Sequence, residues 1–198
     1  KEYFADYFLH TSDITYDFTG GKNEMTVHHN TSEPWKVTVV DTGLNTMTGG
    51  RVKRVRDYIG DEPFLLTYGD GVSDLDITEL LKFHRAHGKL VTMSAYNAGQ
   101  RFGVLDIDSS GQIREFREKT QGDGSLINIG FMVCQPEFID YIDGDETVLE
   151  KTPLEAVAKQ GQLMAYKHTG FWQCMDTVRE KEALEKLWDN GKAPWKVW

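Results

Sequence analysis

Phe64-Leu65-Leu66-Thr67-Tyr68-Gly69-Asp70-Gly71 is a compact apolar run that stops at a Gly-Asp-Gly turn. A buried strand of a parallel sheet ends in this way, because helices cover both of its faces and leave only its end near the solvent. The next apolar residues have helical spacing and predict a helix that starts near Ser73 or Asp74 and ends at Gly88. Residues 90–96 form a second apolar strand, so the pattern predicts a right-handed βαβ unit.

The residues before this unit predict smaller elements. Residues 1–9 have the spacing of a helix that is already under way at Lys1 without an N-cap, so the chain looks cut. Two short strand-like runs around Gly20-Gly21, residues 14–18 and 25–29, predict a hairpin. The β-branched run at 35–40 predicts a further strand.

The residues after the unit continue the alternation of strands and helices. Their patterns predict strands at 104–107, 113–118, 127–134 and 163–168, and helices at 146–160 and 177–190. This mixture is typical of an α/β domain with a mostly parallel sheet. The length of 198 residues favours one domain, residues 1–198, with a C-terminal helix and tail at 177–198.

The composition argues against several kinds of partner. Twenty-two Lys and Arg residues against 31 Asp and Glu residues give a net charge of −9, which repels nucleic-acid phosphates and anionic membranes. No apolar stretch approaches the roughly 20 residues that span a bilayer. Cys134 and Cys174 lie far apart, and neither they nor the six histidines show metal-ligand spacing. We therefore expect free thiols, no zinc site and a cytoplasmic location.

Two aspartates are the strongest candidates for chemistry. Asp70 lies between glycines at the end of a predicted strand, where open α/β sheets bind ligands. Asp176 lies where the strand-like run Phe171-Trp172-Gln173-Cys174-Met175 meets a helix. Each has a simpler interpretation, because either aspartate could be a helix cap. Two carboxylates at one sheet edge would be the minimum protein contribution to a Mg²⁺ site that also uses substrate phosphates.

Three weaker signals accompany the aspartates. Lys119 ends the charged run 114–119, where its ammonium could neutralise a sugar phosphate and Glu118 could bind hydroxyls; a solvated strand face is the alternative. Asn128 interrupts an apolar strand and needs polar partners, which the backbone could supply. Thr46-Met47-Thr48-Gly49-Gly50-Arg51 predicts a flexible loop with hydroxyls and a guanidinium suited to phosphate oxygens, with a surface turn as the alternative.

Taken together, these segments resemble the sugar-1-phosphate nucleotidylyltransferases, and within them the glucose-1-phosphate cytidylyltransferases. The similarity runs over essentially the whole chain, and the Phe-Trp-Gln-x-Met-Asp-Thr string and the Ala-Pro-Trp tail are its most specific parts. The strings that carry it are Lys1-Glu2-Tyr3-Phe4, Val40-Asp41-Thr42-Gly43, Met47-Thr48-Gly49-Gly50-Arg51, Tyr68-Gly69-Asp70-Gly71, Arg101-Phe102-Gly103, Phe171-Trp172-Gln173, Met175-Asp176-Thr177 and Gly191-Lys192-Ala193-Pro194-Trp195.

The resemblance implies a three-layer, Rossmann-like α/β fold with a mostly parallel mixed sheet. It also implies transfer of a cytidylyl group from CTP to α-D-glucose 1-phosphate, giving CDP-glucose and pyrophosphate, in a homo-oligomer that serves surface-polysaccharide synthesis. The family's first βα units and its N-terminal G-G-x-G-T-R loop are absent from residues 1–198, so we expect this stretch alone to be inactive.

The resemblance also implies roles for particular residues. These are Asp70 and Asp176 for Mg²⁺, Thr46, Arg51 and Gly69 for the nucleotide, Gly103, Glu118 and Asn128 for the sugar, and Lys119 for the sugar phosphate. Asp70, Asp176 and Lys119 would be the catalytic residues.

Two departures bear on the choice of base and on the alternatives. The family's usual Glu-Lys-Pro is Glu118-Lys119-Thr120 in this chain. Related thymidylyl and uridylyl enzymes usually have glycine soon after the second metal-binding aspartate, whereas Val178 follows Thr177 here, which favours the cytidylyl branch. A uridylyl- or thymidylyltransferase acting on glucose 1-phosphate and a non-catalytic nucleotide-sugar-binding regulatory protein are the alternatives.

Overall fold

The computed structural model describes residues 1–21, 23–97, 104–107, 113–117 and 126–197, and for 104–107 and 113–117 it describes the backbone alone. The chain divides into two compact units, residues 1–41 and 42–198, where the sequence predicted one domain. In the described part of the chain, every helix is too short or too polar to cross a membrane.

The first unit consists of two short helices and a hairpin. Helices α1 (Glu2–Ala5) and α2 (Tyr7–His10) precede the antiparallel strands β1 (Ser12–Asp17) and β2 (Glu24–Asn30), which confirms the predicted hairpin. The strand predicted at 35–40 is wrong, because a strand needs a hydrogen-bonded neighbour and this segment forms no ladder with the described residues.

The second unit contains the remaining elements. Its helices are α3 (Thr48–Arg54), α4 (Arg56–Ile59), α5 (Ile77–His87), α6 (Thr152–Lys159) and α7 (Val178–Asp189), with a 3₁₀ helix at Pro136–Tyr141. Its strands are β3 (Phe64–Leu66), β4 (Gly71–Ser73), β5 (Val91–Tyr96), β6 (Val104–Ile107), β7 (Ile113–Arg117), β8 (Ile127–Cys134), β9 (Leu163–His168) and β10 (Trp172–Cys174).

The central sheet has the order β3-β8-β5-β9. Strands β3, β5 and β9 run in one direction and β8 runs against them, so the sheet is mixed with a parallel majority, as predicted. The predicted βαβ unit is partly wrong: β3 and β5 are parallel but not neighbours, because β8 lies between them. Strand β8, which comes much later in the sequence, occupies the position between β3 and β5.

Both faces of the sheet are covered, which confirms the three-layer α/β fold. Successive residues of a strand point to opposite faces. Val133 of β8 therefore packs with Leu80 of α5 on one face, while Met132 packs with Val157 of α6 on the other. All four side chains are at least nine-tenths buried, and burial of each contributes about 1.5–3 kcal/mol.

The start of α5 and the start of α6 differ from the sequence prediction, and the end of α5 agrees with it. Helix α5 begins at Ile77 rather than at Ser73 or Asp74, because residues 71–73 pair with β10 and the Asp76 carboxylate caps the helix. It ends at Gly88, as predicted. The helix predicted at 146–160 is shorter, Thr152–Lys159, because the preceding residues form turns that pack on α3.

Candidate active site

A short antiparallel ladder places the backbone of Asp70 opposite Met175, the residue before Asp176. Strand β4 pairs with β10 through Gly71 and Cys174, Val72 and Gln173, and Ser73 and Trp172. Just beyond the ladder, the Met175 N–H donates to the Asp70 carbonyl at 2.7 Å. Both aspartates are exposed. Neither caps a helix, since Asp76 caps α5 and Thr177 caps α7 through a capping box with Glu180.

The ladder lies at the carboxyl-terminal end of the sheet. Strand β4 follows the carboxyl end of β3, and β10 follows the carboxyl end of β9, at the two opposite edges of the sheet. The ring of Tyr96, the last residue of β5, lies 5.9 Å from the rings of both His168 and Trp172. Open α/β sheets bind ligands at this end, so the position suits a ligand site.

A polar cluster that the sequence did not predict connects the end of β4 with the turn that precedes β10. Nε2 of His168 lies 3.0 Å from Oδ1 of Asp74 and 3.1 Å from Oγ of Ser73. The Phe171 N–H donates to Oδ1 of Asp74 at 2.6 Å, and the Ser73 hydroxyl donates to the Phe171 carbonyl at 2.8 Å. In a Ser-His-Asp catalytic triad the serine and the aspartate bond different ring nitrogens, whereas here Nε2 contacts both. The cluster therefore fixes the 168–172 turn and is not a triad.

Cys174 and Glu180 lie close to Asp176. The thiol and the carboxylate oxygens of these three residues are all within 4.8 Å of one another. Burial raises the pKa of the Cys174 thiol, and its hydrogen bond to Asp176 raises it further. The protonated thiol therefore orients the Asp176 carboxylate, whose hard oxygen atoms are the type of ligand that Mg²⁺ prefers.

The segment 46–51, predicted as a flexible phosphate loop, is the beginning of helix α3. The Met47 N–H donates to the Asp145 carbonyl at 2.8 Å, and the Gly49 N–H donates to the Thr147 carbonyl at 2.9 Å. A Cβ at Gly49 would lie only 2.7 Å from that carbonyl oxygen. The flexible loop is therefore a wrong prediction: these glycines permit close packing, and protein carbonyls already bind the amides that a phosphate would need.

Thr46 and Arg51 remain predicted nucleotide contacts. Thr46 is buried, with 7% of its surface exposed, at the entrance to α3. The exposed Arg51 guanidinium donates to Oγ1 of Thr42 at 2.6 Å and to the Leu44 carbonyl at 3.2 Å. Arg51 thus closes the loop that precedes its own helix. Its further donors still suit an anion.

Asn128 is exposed and has a local backbone partner. Its Oδ1 accepts a hydrogen bond from the Gly130 N–H at 2.9 Å, at the irregular register between β8 and β5. Gly69, also exposed, lies directly before Asp70. The other predicted contacts with substrate, Gly103, Glu118 and Lys119, lie outside the described residues, and their roles stay predictions.

One connection near the site gave no signal in the sequence. The Tyr68 hydroxyl donates to Oε1 of Glu150, and the Thr48 hydroxyl donates to Oε2 of the same carboxylate at 2.8 Å. Tyr68 directly precedes Gly69-Asp70-Gly71, so its place could have marked it. Glu150 lies 82 residues away in an irregular segment, and no local pattern points to it.

Comparison with known proteins agrees with this geometry. Residues 20–178 match the family described as "Nucleotidyl transferase", and the chain belongs to that family. The whole chain is 57% identical over 199 aligned residues to the glucose-1-phosphate cytidylyltransferases of Salmonella typhi and Salmonella typhimurium, and it spans 76% of each. The resemblance to glucose-1-phosphate cytidylyltransferases predicted from the sequence is thereby confirmed.

A solved structure shows the same fold. A UDP-glucose pyrophosphorylase in complex with UDP-glucose aligns with a TM-score of 0.55 and 17% sequence identity, over 76% of this chain and 65% of that one. At this identity the likeness concerns the fold alone. It supports the α/β arrangement of the sheet and its covering helices.

Proposed function

We propose that the protein transfers a cytidylyl group from CTP to α-D-glucose 1-phosphate, with CDP-glucose and pyrophosphate as products. The observation that carries this proposal is the 57% identity, over the full chain, with two enzymes named for glucose-1-phosphate cytidylyl transfer. The ladder that holds Asp70 and Asp176 at the carboxyl-terminal end of the sheet supports it.

The reaction is an in-line displacement at the α-phosphorus of CTP. A phosphate oxygen of glucose 1-phosphate forms the new bond to this phosphorus, and the bond to the bridging oxygen of the β-phosphate breaks, which releases pyrophosphate. A sugar phosphate is largely ionised near pH 7, so no side chain has to remove a proton. The protein contributes position and charge.

Asp70 and Asp176 are the residues that would hold Mg²⁺. Both carboxylates are exposed, so a small cation between them would keep room for water and for phosphate oxygens. When bound, Mg²⁺ neutralises and orients phosphate oxygens. The chain itself fixes the two aspartates relative to each other, through the ladder and the hydrogen bond from Met175 to Asp70.

By resemblance, we assign the remaining contacts to the other residues predicted from the sequence. Lys119 would neutralise the phosphate of the sugar, and Gly103, Glu118 and Asn128 would bind its hydroxyls. Thr46, Arg51 and Gly69 would contact the nucleotide. These contacts raise the local concentration of correctly oriented reactants and neutralise phosphate charge, which together supply most of the catalysis of such a reaction.

We also propose a cytoplasmic homo-oligomer. The free thiols of Cys134 and Cys174 suit a reducing compartment. Residues 1–41 support self-association, because none of the described residues of this unit is buried and several of its large apolar side chains are exposed. Sedimentation equilibrium should give a mass of at least twice that of one chain.

A nucleotide competition assay tests the proposed reaction. Pyrophosphate release from CTP, UTP, dTTP and GTP is measured in turn with glucose 1-phosphate, on the protein that carries this chain. We expect CTP to give at least about tenfold higher kcat/KM than any other nucleotide. A preference for UTP or dTTP would identify a uridylyl- or thymidylyltransferase, and binding of CDP-glucose without turnover would identify a regulatory protein.

A further inference from the structure

Tyr68 is held on several sides just before the predicted metal-binding turn. Its ring packs on Gly130, where a Cβ would lie 2.6 Å from Cδ2 of Tyr68 and where φ is +84°. Its hydroxyl donates to Glu150 and is also hydrogen-bonded by the Asn128 side chain. Because Asp70 is only two residues further along the chain, the position of this ring limits where the Asp70 turn can lie.

Glu150 connects this ring to helix α3. Its second carboxylate oxygen accepts from the Thr48 hydroxyl at 2.8 Å. The same Thr48 oxygen accepts from the Leu149 N–H at 2.9 Å, so the backbone of the Glu150 segment is fixed as well. One carboxylate thus joins the turn that carries Asp70 to the first turn of the helix that follows Thr46 and carries Arg51.

The charges of the pair suit a fixed connection. The Tyr68 phenol has one O–H donor, which it directs at the Glu150 carboxylate. Burial acts to raise the pKa of Glu150, but hydrogen bonds from Tyr68 and Thr48 outweigh it, and the pKa lies below its ordinary value. An ionised carboxylate accepts hydrogen bonds more strongly than a neutral one.

Resting on the proposed function, we infer that Tyr68 and Glu150 are positioning residues, which hold the Asp70 turn in register with the nucleotide-binding end of α3 and do not touch substrate. Displacement of a reacting group by about 1 Å costs about 100-fold in rate. A hydroxyl-to-carboxylate bond that sets the distance between two halves of a site therefore acts on kcat and on metal activation more than on binding of the sugar.

Two substitutions weaken or remove the connection while keeping its shape. Tyr68→Phe keeps the ring on Gly130 and removes the donor. Glu150→Gln keeps the side-chain volume but removes the charge and leaves one acceptor oxygen for two hydroxyls. In the protein that carries this chain, we expect each to lower kcat by about tenfold and to raise the Mg²⁺ concentration for half-maximal rate by about threefold or more. The KM for glucose 1-phosphate should change by less than about twofold in Glu150→Gln, which leaves the bond between Asn128 and the Tyr68 hydroxyl in place. The double variant should be close to Tyr68→Phe, because the charge of Glu150 has no phenol to hold once the hydroxyl is gone.

Tyr141→Phe is the matched control. The Tyr141 hydroxyl donates to Oε1 of Gln160 at 2.6 Å, so this variant also removes a phenol hydrogen bond to a side chain. Tyr141 and Gln160 lie on the 3₁₀ helix and at the end of α6. It should leave kcat and Mg²⁺ activation unchanged.

The outcomes separate this inference from the proposed function. If Tyr68→Phe and Glu150→Gln behave like Tyr141→Phe in kcat and Mg²⁺ activation, the positioning role is wrong. If the unsubstituted protein makes no CDP-glucose, the proposed function fails. Binding of Mn²⁺ in the presence of CTP, measured by electron paramagnetic resonance, then tests the positioning role. Weaker Mn²⁺ binding in both variants than in Tyr141→Phe supports the role, and equal binding overturns it. If Tyr68→Phe does not fold, the exposed Glu150→Gln decides.

Discussion

Polar side chains lie near both ends of strand β5, buried and hydrogen-bonded within the protein at one end and exposed at the other. At the amino end, His84 and Thr92 are fully buried and hydrogen-bonded at 2.8 Å, and His87 meets the same hydroxyl at 2.7 Å. The Lys89 N–H donates to Nδ1 of His87, so Nε2 of that ring carries the proton. Thr92 must then donate to His84, whose other nitrogen faces the Gln135 amide at 3.0 Å.

At the carboxyl end, the polar groups face outward. Asp70 and Asp176 are exposed next to the β4–β10 ladder, whose Trp172 ring lies 5.9 Å from that of Tyr96. Buried polar groups must find partners within the protein, so a closed chain of hydrogen bonds stabilises the fold and offers nothing to a ligand. We therefore expect substitutions at the carboxyl end to change activity and substitutions at the amino end to change stability.

Asp70→Asn and Asp176→Asn test this comparison with the largest expected effect. Each removes a charged ligand of the proposed Mg²⁺ site but keeps the shape of the side chain, so we expect kcat to fall by about 100-fold or more. The thermal unfolding midpoint should stay within about 2 °C, because both side chains are exposed. Pyrophosphate release and circular dichroism measure the two quantities. Full activity in either variant would remove that residue from the site.

Gly130→Ala should affect stability and activity together, because it lies against Tyr68 next to the site. The new methyl group would lie 2.6 Å from the Tyr68 ring in a backbone with φ of +84°, so we expect a loss of about 2 kcal/mol in the free energy of unfolding, measured in urea. Gly161→Ala is the control, since φ there is +67° but no atom lies within 4 Å. Equal losses in the two variants would show that the contact with Tyr68 has no importance.

The smallest expected effect is a dependence of stability on pH from the amino end. Burial lowers the pKa of both His84 and His87 in the folded protein. Below the unfolded pKa of about 6.5, the unfolded chain binds more protons than the folded one, so stability is lost as the pH falls. Urea unfolding should therefore give a lower free energy at pH 5.5 than at pH 7.5, with a shallower slope in His87→Gln.

His87→Gln should also keep its turnover at pH 7.5, since it is remote from the carboxyl end. Constant stability between pH 5.5 and 7.5 in the unsubstituted protein would contradict the role of the histidine chain. A large loss of turnover in His87→Gln would contradict the division between the two ends of β5.

The sequence predicted the elements whose signals are local. The hairpin around Gly20-Gly21, the end of α5 at Gly88 and the helix that follows Thr177 depend on turn and cap residues a few positions away, and all three are present. Asp70 was placed at a strand end for the same reason. The predicted start of α5 failed because residues 71–73 pair with a strand about 100 residues later, which no local pattern reports.

The candidate site divides in the same way. The two aspartates could be named from the residues beside them and from the resemblance. Neither the Ser73-Asp74-His168 cluster nor the bond between Tyr68 and Glu150 could be, because each joins side chains that are about 80 to 100 positions apart. Long-range hydrogen bonds depend on the pairing of strands, and hydrophobic patterns leave that pairing open.

Periodicity and turn chemistry act over a few residues, so they are enough to identify an α/β chain in which two aspartates follow strands. The position of β8 between β3 and β5, and the β4–β10 ladder that joins both edges of the sheet, could be seen only in the folded protein. The physical reason is that strand neighbours are chosen by the burial of both faces at once, and that choice depends on every layer of the fold.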